Sequence, residues 1–146
     1  MKRTRKYTTP VIICLMGILL SSLVLTGCSG AKSLTSGQKD AVLAYSEPIA
    51  DNLLQGMNAD SYKAFSRDFD PQMQQGLPQS NFKDKLFPTI NGKFGKYISR
   101  QVASVNTVGK NVVIVYTAKF ERSDNVTITL TLKQQEPHQV AGLYFK

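Results

Sequence analysis

Few residues of this 146-residue chain have side chains suited to covalent or metal chemistry, and its two cysteines are the most distinctive of them. Cys14 lies inside an apolar run that extends from Val11 to Leu25. Cys28 follows that run and is preceded directly by Leu25-Thr26-Gly27. Small residues just before a cysteine, placed after a basic N-terminus and an apolar run, predict an exported chain that is cleaved near Cys28.

Residues 1–27 have the three parts of a secretory signal. They are a basic start from Met1 to Lys6, the apolar core, and small residues from Ser22 to Gly27. The apolar core is about 15 residues long, which is shorter than the roughly 20 residues that cross a bilayer. This segment resembles the signal of bacterial lipoproteins. The resemblance implies cleavage between Gly27 and Cys28 and attachment of a diacylglycerol to the Cys28 sulfur.

The predicted lipid places the protein on the extracytoplasmic face of the cell membrane, with membrane lipid as the partner of Cys28. Two acyl chains suffice for stable anchoring, since each buried methylene contributes about 0.8 kcal/mol. In many Gram-negative bacteria, an acidic residue after the modified cysteine keeps a lipoprotein in the inner membrane. The residue at this position is Ser29, so the sequence is also compatible with an outer-membrane location in a Gram-negative envelope. Because residues 29–37 are small and polar, residues 28–37 are predicted to form a flexible tether.

Removal of residues 1–27 changes what the composition implies. The formal net charge falls from +8 to +4, with 14 basic and 10 acidic residues remaining. This mild excess has no concentrated basic run, which argues against nucleic-acid binding. The remaining residues suffice for one domain with a modest core, predicted to span residues 38–146. Once Cys28 is modified, no thiol remains for a disulfide or a zinc site.

The other candidates for catalysis are weak. His138 is the only histidine and follows Pro137 in a predicted turn, so it is expected to be a solvated loop residue. Asp68 and Asp70 are two positions apart, a spacing that does not bring side chains together on a helix. No glycine-rich phosphate loop follows a predicted strand. We therefore predict no metal, no cofactor and no catalytic residue.

From Gln38 onward the pattern is helical. Apolar residues recur three and four positions apart and predict one long helix with a buried stripe formed by Val42, Tyr45, Ile49, Leu53 and Met57. Pro48 predicts either a kink in this helix or the start of a second helix near Ser46, and one long, kinked helix is favoured. Asn58 is typical of the N-cap of a second helix, and Asp70-Pro71 and Pro78 are typical of two further helix starts. Pro88 is expected to limit the last of these helices.

After Tyr97 apolar residues alternate with polar ones, as in half-buried strands. The alternation is clearest in residues 112–120 and 126–133. Turn signals at residues 109–111, 123–125 and 136–138 divide the region into four strands. Helices followed by strands predict an α+β fold, in which N-terminal helices pack on one face of a four-stranded antiparallel sheet.

Four segments resemble DUF3887, a small domain of unknown function found in bacteria and archaea: residues 52–69, 94–102, 111–120 and 140–145. The resemblance covers essentially the whole domain, from about Ser36 to Lys146. It implies an NTF2-like or cystatin-like fold, in which a long helix is wrapped by a curved antiparallel sheet. It supplies no catalytic residues.

Domains of that fold often form a pocket between the long helix and the concave sheet. The residues expected to line it are Tyr45, Arg100, Tyr116 and Tyr144, although core packing also explains the tyrosines. The first hypothesis is a lipid-anchored, non-enzymatic domain that binds a small ligand or an envelope protein. The alternative is a small enzyme of the isomerase or hydrolase type, which needs a buried ionisable pair in the pocket. Homodimerisation through the open sheet face is a third hypothesis.

Overall fold

The computed structural model describes residues 32–146, in which helices precede an antiparallel sheet. The predicted signal, the cleavage site at Gly27 and Cys28, and the first part of the predicted tether lie outside the described residues. The α+β class predicted from the sequence is confirmed. The sheet, however, has five strands rather than the predicted four.

The additional strand, β1, is Lys32–Ser33, and it lies within the segment predicted to be a tether. It pairs antiparallel with Thr107 and Asn106 of the next strand. Two residues are too few to display an alternating pattern, so the sequence carried no signal for this strand. Residues 32–37 of the predicted tether therefore form a strand and the start of the first helix.

Helix α1, Ser36–Asn58, is one continuous helix that includes Pro48, as predicted. A capping box begins it: the Gln38 N–H donates to Thr35 Oγ1 and the Thr35 N–H donates to Gln38 Oε1 (3.0 Å). The predicted stripe faces the core, with Val42, Ile49, Leu53 and Met57 all buried. Gly56 lets the next helix approach closely, because a Cβ there would lie 2.4 Å from the backbone nitrogen of Phe65.

The prediction for Asn58 was wrong. Ser61 is the N-cap of α2, Tyr62–Phe65, whereas Asn58 ends α1 and reaches across to the sheet. Its amide accepts from the Tyr97 N–H (2.8 Å) and donates to the Tyr97 carbonyl (2.8 Å). The asparagine therefore joins the end of α1 to the first residue of a strand, a long-range contact that local propensity does not reveal.

Helix α3, Pro71–Gly76, begins as predicted with Asp70 as its cap, and the Met73 N–H donates to Asp70 Oδ1 (2.7 Å). A longer helical segment follows Pro78: α4, Gln79–Asn81, a π-helical turn, Phe82–Leu86, and α5, Phe87–Phe94. The helix thus continues past Pro88, contrary to prediction. Proline is tolerated in the first turn of a helix, and Pro88 lies in the first turn of α5. Gly95, with φ +79°, ends the segment.

The remaining strands are β2, Tyr97–Val108; β3, Asn111–Phe120; β4, Ser123–Lys133; and β5, Val140–Phe145. Each is antiparallel to its neighbours, in the order β1-β2-β3-β4-β5. The turn between β3 and β4 is at residues 121–122 rather than 123–125, because Phe120 already pairs with Ser123. The inner face of the sheet packs against the helices, and its buried members are Val112, Ile114, Tyr116, Ala118, Phe120, Val126, Ile128, Leu130 and Leu132.

Candidate functional site

The most concentrated polar arrangement inside the fold surrounds Arg100, where α1 passes along β2. The Arg100 side chain is only 5% exposed, although guanidinium groups are seldom buried without partners. Its Nη2 forms an ion pair with Glu47 Oε2 at 2.6 Å, and its Nη1 forms a second ion pair with Asp51. Nη1 also donates to the Tyr97 hydroxyl (3.1 Å). The Arg100 Nε is buried and has no hydrogen-bond partner among the described residues.

Helix α1 presents the two carboxylates together. Glu47 and Asp51 are four positions apart, and residues at that spacing lie on the same side of a helix. Tyr116 of β3 joins them from the inner face of the sheet: its hydroxyl donates to Glu47 Oε1 (2.9 Å). The Arg100 guanidinium lies 5.2 Å from the centroid of the Tyr116 ring, within cation–π range. Glu47 is therefore shared between an arginine and a tyrosine.

A strand irregularity turns Arg100 toward the helix. The pairing of β2 with β3 shifts by one residue between Tyr97 and Ser99, which is a β-bulge. Because side chains alternate along a strand, one extra residue exchanges the faces of the residues after it, here as far as a second shift between Val102 and Ser104. Arg100 thus pairs with the buried Ala118 and lies on the inner face with it. Without the bulge, Ser99 and Gln101 would face the helix.

Two groups of this cluster have a raised pKa, for different reasons. Desolvation raises the pKa of the Tyr116 hydroxyl, and the negative charge of Glu47 raises it further, so the phenol is held neutral. Burial by itself would lower the pKa of Arg100. Hydrogen bonds to Asp51 and Tyr97 and the charge of Glu47 outweigh that effect, and the pKa of Arg100 is raised. Arg100 therefore remains charged and Tyr116 remains a hydrogen-bond donor across the ordinary pH range.

The interior beside this cluster has little room. A cavity of about 10 Å³ lies between α1 and the sheet, lined by Ala50, Leu53, Leu54, Tyr116, Ile128, Leu130 and Leu143. Ligand pockets typically enclose roughly 300–1,000 Å³, whereas this volume is about that of one water-sized probe. Outside the cluster, a hollow of about 350 Å³ opens broadly to solvent over Glu47, Asp51 and Gln55. At this position, then, the helix and the sheet enclose no ligand-sized pocket.

Two of the four predicted lining residues, Arg100 and Tyr116, come together in this cluster. Tyr45 does not join them, because its ring stacks on His138 with the centroids 3.7 Å apart and the planes 8° apart. Burial raises the pKa of the Tyr45 hydroxyl. His138 is accordingly half-buried against an aromatic ring, and the expectation of a solvated loop histidine was wrong.

Tyr144 lies on the opposite face of the sheet from Tyr116. It pairs with Thr129, and its side chain is 62% exposed. Strict alternation from the buried Val140 would have turned Tyr144 inward. A register shift between Val140 and Gly142 reverses the faces, so Leu143 and Phe145 pack on the core instead.

Sequence reasoning missed Glu47 and Asp51. Their four-residue spacing on a predicted helix was the available signal, but nothing local identified Arg100 as their partner, which is 49 positions beyond Asp51. Within residues 32–146, no group of three His, Cys, Asp or Glu side chains is arranged to hold a metal ion. Of the helices in that range, none combines the length and the apolar character needed to cross a bilayer.

Together, the fold and this cluster define a small α+β domain in which a buried arginine joins the first helix to the sheet. The chain belongs to the DUF3887 family, a family of proteins of unknown function whose profile matches residues 50–143. This match confirms the resemblance noted from the sequence. The matched residues extend from the middle of α1 into β5 and include Asp51, Arg100 and Tyr116 but not Glu47. No curated protein and no solved structure matches the chain.

Proposed function

We propose that this protein is a lipid-anchored, extracytoplasmic domain that binds a protein partner of the cell envelope, without catalysing a reaction. The observation that carries the proposal is the contrast, within residues 32–146, between a filled interior and an outer sheet face that carries an exposed tyrosine. A cavity of about 10 Å³ cannot accept a small ligand between the helix and the sheet. A protein partner needs only an exposed surface.

The surface in question, called here the outer face, centres on Tyr144, Thr129, Thr131, Thr127 and Thr117. Its central part is uncharged, and at 62% exposure Tyr144 offers an aromatic ring to solvent. Tyrosine is enriched in protein interfaces, where charged residues are depleted from the centre. Gly142 places no side chain on the outer face beside Thr131, where a Cβ would lie 3.3 Å from Thr131 Cβ.

The anchor rests on the sequence pattern that ends at Cys28. If Cys28 is lipidated, only residues 29–31 separate it from β1. Four extended residues span at most about 14 Å, so the folded domain would lie close to the membrane surface. A partner protein held in the same membrane would then lie at the same distance from the membrane surface as the outer face.

The anchor is tested by metabolic labelling with a palmitate analogue. Cys28→Ala should abolish the label and leave a longer, uncleaved precursor, whereas Cys14→Ala is the matched control and should leave both unchanged. Labelling that persists in Cys28→Ala contradicts the anchor.

The partner is tested by cross-linking full-length protein in its native membranes, followed by quantitative mass spectrometry. Tyr144→Asp should reduce recovery of any genuine partner at least tenfold, because it places a charge at the centre of the outer face. Lys110→Asp, in the turn between β2 and β3, is the control for a change of charge elsewhere. Recovery that is equal in both variants contradicts binding through the outer face.

The enzymatic alternative has less support. Arg100 is buried and pairs with Glu47, whose side chain is 38% exposed, but both are already engaged with Asp51, Tyr97 and Tyr116. A general base must reach a substrate proton. The enclosed cavity of about 10 Å³ has no space for a substrate, and the hollow of about 350 Å³ over Glu47 and Asp51 opens broadly to solvent and does not enclose one.

A further inference from the structure

Strand β5 forms one edge of the sheet, and most of that edge is uncovered within residues 32–146. Its outer side is occupied at Val140, which forms a parallel bridge with Phe69. From Gly142 to Phe145, the strand pairs with β4 on one side and with no described strand on the other. The register shift of β5 lies before Gly142, so the pairing from there to Phe145 is regular.

The hydrogen-bond pattern shows which backbone groups of this edge are free. Lys146 and Thr127 of β4 exchange both of their backbone hydrogen bonds, each 2.9 Å long. Along an antiparallel ladder, such pairs alternate with pairs that form no hydrogen bond. The N–H and C=O groups of Phe145 and Leu143 therefore point away from β4, and within residues 32–146 nothing bonds to them there.

The side chains of this edge are uncharged up to its last residue, Lys146. Leu143 and Phe145 are half-buried and pack against the core on the inner face. Tyr144, between them, is 62% exposed on the outer face. Proteins commonly protect an edge with a lysine, a proline, a bulge or an inward-pointing charge. From Gly142 to Phe145, this edge has none of these.

The start of the anchored chain is too short to cover this edge, whatever its conformation. Lys32 begins β1 at the opposite side of the sheet. A strand beyond β5 would lie five strand spacings, about 24 Å, from β1. If the chain is cleaved before Cys28, as the proposed function requires, the four residues before Lys32 span at most about 14 Å. The strand that completes the edge then belongs to another molecule.

The edge is complementary to itself. If two β5 strands pair antiparallel about Tyr144, Leu143 of one copy lies opposite Phe145 of the other. Because both residues point their backbone groups outward, each of these two pairs exchanges both of its hydrogen bonds. Tyr144 lies opposite its symmetry mate, and aromatic side chains directly opposite each other stabilise a sheet. Lys146 lies opposite Gly142, so no like charges face each other across the strands.

We propose that two copies of this protein pair through residues 142–146 of β5, so that their two sheets become one continuous sheet. Such a pair has two-fold symmetry and closes on itself, as most homo-oligomers do. The contact is short compared with stable dimers, which bury about 1,200–2,000 Å² in total. Association is therefore weak in dilute solution and is favoured where copies are concentrated on a membrane.

The pairing goes beyond the function proposed above, because it needs no envelope partner. It joins the outer faces of the two copies into one surface with the two Tyr144 rings at its centre. Only the limit on the reach of the N-terminal residues rests on the proposed anchor. Labelling of Cys28 and recovery of a partner are measured separately, so a failure of the pairing is distinguishable from a failure of the proposed function.

Cysteine cross-linking in membranes that contain the full-length chain tests this pairing. Tyr144→Cys places two thiols opposite each other in a pair without hydrogen bonds, where the Cα atoms are about 4.5 Å apart, a distance that a disulfide can span. Under mild oxidation, it should form covalent dimers at least tenfold faster than Thr117→Cys, the matched control, which is exposed on the outer face two strands away. The parent chain sets the background. Equal rates in the two variants indicate pairing through the outer face and overturn the proposal, as does Tyr144→Cys at background level.

A proline on the edge provides the second measurement. Adding Leu143→Pro to Tyr144→Cys should reduce covalent dimer formation at least tenfold, because it removes an N–H that points outward and leaves the pairing with β4 intact. Adding Thr117→Lys instead should leave the rate unchanged. Equal rates with the two additions also overturn the proposal. The amount of each variant in the membrane shows whether it folds, and the comparison with Thr117→Cys decides the question if Leu143→Pro does not accumulate.

Discussion

The two faces of the sheet are made from the same strands but have opposite roles. On β4, Ile128, Leu130 and Leu132 are at most 2% exposed and face the helices. The alternate residues Thr127, Thr129 and Thr131 face away and remain half-buried. The inner face stabilises the fold and leaves almost no space, whereas the outer face contributes little packing within residues 32–146 and is the surface proposed to bind a partner. On that proposal, stability and binding should change independently on neighbouring residues of one strand.

The largest expected effect comes from truncating the inner face. Leu130→Ala should lower the free energy of unfolding by about 2–5 kcal/mol, as is usual for buried leucines. Thr129→Ala, one residue away, should change it by no more than about 0.5 kcal/mol. Chemical denaturation of the two variants measures the difference. Equal losses would mean that the outer face is also packed.

The Arg100 cluster should show a smaller effect that depends on which carboxylate is removed. Glu47→Ala should cost about 1–3 kcal/mol, because it leaves the buried Arg100 with one ion pair and the Tyr116 hydroxyl without its acceptor. Asp51→Ala should cost less, since the Asp51 side chain is 62% exposed and surface ion pairs contribute about 0–1 kcal/mol. The same denaturation experiment compares them. A larger loss for Asp51→Ala would contradict the central position given to Glu47.

Alkaline pH tests the buried phenol of the inner face. Because the folded-state pKa of Tyr116 is raised above its ordinary value of 10.0, the unfolded chain loses this proton first. The stabilisation is complete below pH 10 and decreases as the pH rises above it. Tyr116→Phe should make the decline between pH 10 and 12 shallower, measured as thermal unfolding against pH. Tyr144→Phe, an exposed tyrosine, is the control and should follow the parent.

The smallest expected effect on stability is at the outer face. Tyr144→Ala should change the free energy of unfolding by no more than about 0.5 kcal/mol, since the side chain is mostly exposed. The same change should nonetheless reduce recovery of the envelope partner. A loss of stability comparable to that of Leu130→Ala would mean that Tyr144 supports the fold rather than a binding surface.

The sequence predicted those elements whose patterns are local and long. The stripe of α1 repeats over about four turns, and the alternation of β3 and β4 identifies every buried residue on those strands. Shorter or long-range features escaped prediction. Strand β1 has only two residues, and Asn58 binds a strand 39 positions away instead of capping the next helix. The turn at residues 121–122 is set by pairing of Phe120 with Ser123, which outweighs the polar signal of residues 123–125.

The sequence predicted only part of the candidate site, because the rest depends on pairing between strands. Tyr116 lies on a strand with regular alternation, and this pattern correctly placed its side chain on the inner face. The faces of Arg100 and Tyr144 depend on bulges in β2 and β5, which reverse the alternation at these residues; in β2 a second shift between Val102 and Ser104 restores it.

By itself, the sequence determined the helix-then-sheet order and the buried residues of the central strands, because repeating patterns of apolar residues record them directly. The family followed instead from the likeness of particular segments to DUF3887. The sequence also supplies the Cys28 motif on which the anchor prediction depends. Only the tertiary structure decided that Arg100 faces α1 and that Tyr144 faces away from the helices with its ring exposed. Those outcomes depend on which residue pairs with which across the sheet, and a shift of one residue in that pairing exchanges the two faces.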